Sequence, residues 1–363
     1  MKTKKQSQKP TDIATGTEAH SIGIDLGDRF SQFCILDADG EVVEEGRLRT
    51  TQEAIRARFE RVSVLRIAIE AGTHSGWVSR LLEELGHEVV VANPRDVFGI
   101  VRSNNKNDRI DAEKLARYVR VDPKLLSPIT HRSEAQQLDI AIIRMREKFV
   151  VARTMLINAA RGIVKSLGHR LPGCGADYFA DRCRGVVPYQ LKTVIEPLLD
   201  QISSLTKQID VFDMEIDKLA YAKYPDAAPL LTVNGVGTLT AVAFVLTLGD
   251  KKRFPHSRDV GCYLGLRPRR HQSGDSDPEL SITKSGNKYM RTLLIQCAQH
   301  ILRPISKDSA LKQWGLKLAG RHGRNSKKRA VVAVARKLSV LLHRLWTTQK
   351  RFDPFHGCSN KAA

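Results

Sequence analysis

Nowhere in the chain is there an apolar run of the roughly 18 residues that a membrane-spanning helix needs, and neither a signal peptide nor a lipidation motif is visible. These absences argue against a membrane protein and predict a soluble, cytoplasmic one. The cysteines Cys34, Cys174, Cys183, Cys262, Cys297 and Cys358 include no C-x-x-C pair, which leaves no sequence signature of a zinc site or a disulfide framework. They read as reduced bystanders of an intracellular protein. Acid is scarce relative to base: 39 Asp+Glu stand against 59 Lys+Arg, for a net charge of +20. A field of that sign attracts polyanions and releases their counterions, so DNA or RNA is the expected partner. With 363 residues the chain can bury a substantial core and divide into two or three domains.

Residues 1–20 are polar, basic and without periodicity, the composition of a disordered arm. Three short extended segments follow, at 22–27, 32–36 and 42–47, with Asp37-Ala38-Asp39-Gly40 as a turn between the second and third. A helix over 52–62, a strand over 65–69 ending in Glu70, a helix over 77–85 and a strand over 88–92 complete the pattern. Three antiparallel strands followed by alternating strands and helices predict an α/β, ribonuclease H-like domain over 21–125. From 126 to 222 the chain turns helical. Residues 131–167 form one long segment, and Leu191, Val194, Leu198, Ile202, Leu205, Ile209, Phe212, Ile216 and Leu219 recur at spacings of mostly three and four, the seam of a coiled coil. Such a seam closes either as an intramolecular helical hairpin or as a dimerisation arm. A mainly α domain is expected over 223–363, with an apolar helix at 289–302. A basic amphipathic helix at 326–352 either packs on its own domain or binds nucleic acid or a membrane face.

Asp108 and Asp111 stand three apart, which places both carboxylates on one face of a helix. Asp25 lies on the first strand and Glu70 at the end of the fourth, positions that come side by side in a ribonuclease H-like sheet. Four hard oxygen donors without a cooperating His or Cys suit Mg²⁺ or Mn²⁺ rather than zinc. Each acid also has a plainer reading: Asp108 as a helix N-cap, Asp111 as a first-turn acid, Glu70 as a surface residue and Asp25 as a turn residue. Gly23-Ile24-Asp25-Leu26-Gly27 is also how the phosphate loop of actin-like ATPases begins. The loop continues Asp28-Arg29-Phe30 where those proteins favour Thr or Ser, and no second Asp-x-Gly-Gly motif follows.

A second centre begins with Val233-Asn234-Gly235-Val236-Gly237, which resembles a helix-hairpin-helix turn whose Gly235 and Gly237 open backbone N–H groups to a phosphate. The alternative is a plain glycine-rich helix start. Further on, Gly265-Leu266-Arg267-Pro268-Arg269-Arg270-His271-Gln272-Ser273-Gly274 and Ser281 to Arg291 surround a serine with basic side chains. Ser273 reads as a phosphate-binding turn or as a nucleophile, since a hydroxyl attacks phosphorus only where charge or a base assists it. Arg267, Arg269, Arg270, Lys284, Lys288 and Arg291 can supply that charge to phosphate oxygens. His271 reads as a base or a phosphate donor.

Taken in order, Asp25, Glu70, Lys106-x-Asp108-x-x-Asp111, Gly-Val-Gly, Gly-Leu-x-Pro, Gln-Ser-Gly and Lys-x-Gly-Asn-x-x-x-Arg resemble the DEDD-type insertion-sequence transposases, described as bridge-RNA-guided recombinases, over residues 21–305. The resemblance implies an N-terminal domain like the junction resolvase RuvC and a C-terminal transposase domain carrying the serine. It implies catalytic roles for Asp25, Glu70, Asp108, Asp111 and Ser273, with the four acids holding Mg²⁺ (or Mn²⁺). Its implied partners are donor and target DNA, a structured guide RNA and other copies of the chain in a dimer or tetramer, within a prokaryotic nucleoid. A metal-dependent junction-resolving endonuclease without a covalent intermediate is the alternative function. Asp28 departs from the small or basic residue expected there, and leaves open whether it joins the metal shell.

Overall fold

The computed structural model describes residues 21–94, 108–273, 276, 280–321, 323 and 325–355. The expected basic arm at 1–20 lies outside the described residues. By compactness the chain forms two units, Met1–Glu134 and Ala135–Ala363.

In the first unit five strands form one mixed sheet: β1 (Ser21–Asp25), β2 (Phe30–Leu36), β3 (Val42–Arg49), β4 (Arg66–Glu70) and β5 (Glu88–Ala92), in the order β3-β2-β1-β4-β5. β1 to β3 run antiparallel, while β4 and β5 join parallel to β1. The meander and the alternation that follows are the expected ones, and the arrangement is compatible with a ribonuclease H-like domain. Helices α1 (Gln52–Phe59) and α2 (Ser75–Glu84) connect the later strands. Alternation decides the layers. Ile22, Ile24, Ile67, Ile69 and Val91 point into a core shared with Ile55, Phe59, Val78 and Leu82 from those helices. On the opposite face Ala68, Val90 and Ala92 pack against Leu115 and Val119 of α3 (Asp108–Val121).

The second unit is helical: α4 (Glu134–Ser166), α5 (Phe179–Arg184), α6 (Lys192–Lys218), α7 (Ala228–Leu231), α8 (Thr238–Leu248), α9 (Ser257–Tyr263), α10 (Lys288–Ile301), α11 (Ala310–Ala319) and α12 (Ser326–Thr348). α4 and α6 are joined by a two-pronged Arg146–Asp213 pair, by an edge-on Phe149–Phe212 contact and by Arg153, whose Nη1 donates to Thr206. The seam is therefore at least partly a hairpin within the chain. Its first half differs from the sequence reading: Ile195 and Leu199 are buried while Val194 is exposed. The cause is α5, whose Phe179, Ala180 and Cys183 build a separate cluster with Ile195 and Leu199 and so select the adjacent face of α6. The C-terminal helix α12 packs on its own domain, burying Val334, Leu338, Leu342 and Trp346 in the main core with α8 and α10.

Five cysteines lie among the described residues, all free. Burial, aided by Glu45 and Glu113, pushes the Cys34 thiol up to about 11. At pH 8 it stays protonated, so an iodoacetamide mass assay is expected to leave Cys34 unlabelled in the folded protein and to label it after denaturation.

Candidate functional site

The position of the four acids follows from a single close approach. A Cβ placed on Gly23 would lie 1.9 Å from the Ala112 carbonyl oxygen and 2.5 Å from the Ala116 nitrogen, so α3 rests directly on β1 and only glycine fits between them. Gly23→Ala is expected to destabilise the unit by about 3 kcal/mol, the upper range for overpacking, because backbone rather than a flexible side chain must move. Chemical denaturation measures the loss, and wild-type stability would show that the helix does not sit this close.

Gly23 thus faces α3, and Asp25, two residues on, faces the same way. Gly23 pairs with Ala68, itself packed on α3, so Glu70 shares that face at the neighbouring strand end. α3 runs antiparallel to β1. Its last turn meets the β2–β3 turn, where the Arg117 and Arg120 guanidiniums donate to the Gly40 and Ala38 carbonyls at 3.0 and 2.9 Å. That turn lies at the start of β1, since Ser21 pairs with Leu36. The first turn of α3 therefore points to the end of β1 where Asp25 is. From Ala112 back to Asp108 is about 6 Å of helix, and from Gly23 to Asp25 about 6.6 Å of strand, so the two acids stand at about the same level. Asp108 and Asp111 precede the buried Ala112 and Leu115 by one turn each, and so extend the sheet-facing stripe.

The backbone thus brings four carboxylates from three distant parts of the sequence to one end of one sheet face. Their side chains do not close around a common point: among the described residues no three His, Cys, Asp or Glu form a group that could hold a metal ion. Asp108 is exposed, and the Asp111 carboxylate lies 3.8 Å from Lys114 Nζ. Lys106 and the segment before it lie outside the described residues.

Near the acids His74, which the sequence reading passed over, stands beside Asp28, whose place in the metal shell the sequence left open. His74 precedes α2, and its Nδ1 accepts a hydrogen bond from Trp77 Nε1–H at 3.1 Å, which directs Nε2 toward Asp28, 3.7 Å away. Asp28 is 93% exposed. It sits on a loop tied down by the Thr50 hydroxyl, which donates to the Gly27 carbonyl at 2.9 Å. The signal was present as Thr73-His74-Ser75-Gly76-Trp77, directly after Glu70 and Ala71-Gly72.

The serine segment forms a hairpin. Arg269 N–H donates to Ser281, Thr283 N–H to Arg267 and Lys284 N–H to Gly265, at 3.0, 2.9 and 3.1 Å. Ser273 and Ser276 exchange backbone hydrogen bonds near its tip, with Ser273 exposed. At the base, Gly265 (φ 69°) and Gly286 (φ 75°) press on opposite strands: a Cβ on either would lie 2.2 Å from the Ser285 or Tyr263 carbonyl oxygen. Arg267, Arg269, Arg270, Lys284 and Lys288 are exposed along the hairpin and at the start of α10. Arg291 differs from the reading that grouped it with them. It is 8% exposed, and its guanidinium donates to the Leu264 and Ser285 carbonyls, so it fastens the base of the hairpin. Nη1 of the buried guanidinium thus holds both carbonyls together at the hairpin's mouth.

Gly237 caps α8 without a side-chain acceptor of its own, so no side-chain cap bonds the first N–H groups of the helix. Gly235 has φ 88°, and a Cβ there would lie 2.9 Å from the His300 ring, so packing as well as backbone conformation requires glycine.

Both centres fall within regions that match known families. Residues 22–168, which contain all four acids, match a DEDD transposase family model, and residues 227–313, which contain the Gly-Val-Gly turn and the serine hairpin, match the transposase IS116/IS110/IS902 family. The transposase for insertion sequence element IS1111A of Coxiella burnetii is 30% identical over 342 residues, spanning 91% of this chain and 90% of its own. The transposase for element IS1328 of Yersinia enterocolitica is 28% identical, over 88% of this chain and 94% of its own. A pilin gene-inverting protein of Moraxella bovis is 24% identical over 82% of this chain and 85% of its own. The chain is a member of the IS110/IS116 family of DEDD transposases, enzymes that act on DNA. Among the described residues no helix is long and apolar enough to cross a membrane.

Proposed function

We propose that this transposase exchanges DNA strands through a covalent serine–DNA link, with Asp25, Glu70, Asp108 and Asp111 holding Mg²⁺ or Mn²⁺. The observation that carries the reading is the convergence of the four acids at one end of the sheet. Gathering like charges destabilises a fold unless something positive sits among them, and an all-carboxylate donor set fits a hard divalent ion. Such an ion, when bound, supplies charge to a phosphodiester's oxygens.

The chain's own residues do the rest. Ser273 Oγ attacks phosphorus and gives up its proton; a Ser O–P bond forms as the bond to the leaving strand breaks, and that strand's oxygen takes a proton. A hydroxyl of another strand reverses the step, so the phosphoester is retained and no nucleotide is hydrolysed. Arg267, Arg269, Arg270, Lys284 and Lys288 hold the phosphates, Gly235 and Gly237 present backbone N–H groups to another, and Arg291 keeps the hairpin in shape. Rejoining rather than simple cleavage is supported by the similarity to a protein named for inverting a gene.

Donor and target DNA are paired with a structured guide RNA, which leaves sequence choice to base pairing. The resemblance and the net charge of +20 support this part of the proposal. Subunits assemble so that the acids of one face the serine of another. Leu138, Met145 and Met155, exposed at heptad positions along α4, support such an assembly. The test is to incubate protein, guide RNA and Mg²⁺ with DNA carrying the element ends, and to run the products on a denaturing gel. A protein–DNA adduct is expected. Cleavage without one would instead make the protein a metal-dependent junction-resolving nuclease.

A further inference from the structure

Ile305 is 92% exposed, more than any other large apolar side chain among the described residues. It sits between α10 and α11 at the third position of a turn closed by Ser306 N–H donating to the Arg303 carbonyl at 3.1 Å, with Pro304 at the second position. The turn is held from below by a buried cation. Lys312 is 7% exposed, and its Nζ donates to the carbonyls of Pro304 and Ser306, at 3.2 and 2.5 Å, the two residues flanking Ile305. Desolvating an ammonium is unfavourable, and burying an isoleucine side chain is favourable. Folding stability alone therefore does not account for a buried lysine holding an isoleucine in water.

The surroundings say what the tip meets. Arg303 and Lys307 are exposed on either side of it. Asn234 Nδ2 donates to Ser306 Oγ at 2.7 Å, which couples the turn to Gly235-Val236-Gly237 and the start of α8. An aliphatic tip between two cations matches the way proteins push an apolar side chain into a base step while basic residues take the adjoining phosphates.

We propose that Ile305 is a wedge that enters a base step of duplex DNA and unstacks it, with Lys312 holding the wedge erect. The proposal rests on the family's action on DNA and is independent of the roles given to Ser273 and the carboxylates. Unstacking bends or opens the duplex where strands are to be exchanged.

The experiment uses the full-length protein and a short duplex with 2-aminopurine at a central TpA step, the kind most easily unstacked. It is run in EDTA so that binding is read apart from strand chemistry. Wild-type protein is expected to raise 2-aminopurine emission several-fold. Ile305→Ala should abolish the rise and weaken binding about tenfold, with an unchanged salt dependence because no phosphate contact is lost. Ile305→Leu should keep the rise. Lys312→Met should lose it while circular dichroism shows the fold retained. Wild-type binding without a rise, or a full rise in Ile305→Ala, overturns the proposal. So does a change of oligomeric mass in Ile305→Ala with emission unaltered, which would make the tip a protein contact.

Discussion

Ser273→Ala is expected to abolish the covalent protein–DNA adduct and to lower strand exchange by about 10⁴-fold or more, the scale on which removing a nucleophile acts. The serine is exposed near the tip of the hairpin, and its structural contribution comes from backbone hydrogen bonds that alanine also makes. Stability should change by less than about 0.5 kcal/mol, as for other surface substitutions. DNA affinity should also hold, because Arg267, Arg269, Arg270, Lys284 and Lys288 remain. A folded, DNA-binding, adduct-free variant is thus the expected result. Residual strand exchange near the wild-type rate would remove the serine from the chemistry.

A comparable loss is expected for Asp25→Ala and Asp108→Ala, by a different route. Each removes a hard oxygen donor from the sheet end, and activity should fall by about 10³-fold, the order seen when one group that stabilises transition-state charge is deleted. Neither residue belongs to the buried core, so melting temperature should hold or rise as like-charge repulsion is relieved. Wild-type melting should rise on adding Mg²⁺ or Mn²⁺, since a ligand that binds only the folded state stabilises it, and this shift should shrink in both variants. If both variants kept strand exchange, the acids would be structural.

Much of the sheet was legible because alternation and turn chemistry are local. Ile22 and Ile24, Ile67 and Ile69, and Asp37 to Gly40 each declare strand or turn within a few residues. The placement of Asp25 and Glu70 on neighbouring strands was legible, since an Asp on the first strand and a Glu closing the fourth come side by side in a sheet of this order. Gly23 was not, because the need for glycine arises from a helix about ninety residues away, and a lone Gly in a strand has several explanations. Arg291 was misplaced for a related reason. In a basic segment every arginine looks like a phosphate ligand, and only burial against the Leu264 and Ser285 carbonyls marks this one as internal. Val194 and Ile195 are adjacent and equally apolar, so the side of α6 that is buried depended on α5, which periodicity within α6 alone could not reveal. His74 was overlooked because a single histidine after a strand carries no pattern; Trp77 gives it an orientation only in three dimensions.

The central claim is that acids from β1, β4 and α3 share divalent cations. Anomalous scattering from a crystal of the protein soaked in Mn²⁺ measures it most directly. The account predicts a manganese peak ligated by carboxylate oxygens of Asp25, Glu70 and at least one of Asp108 and Asp111. Well-ordered carboxylates with no manganese among them at saturating concentration, or a peak only at unrelated surface acids, would contradict it.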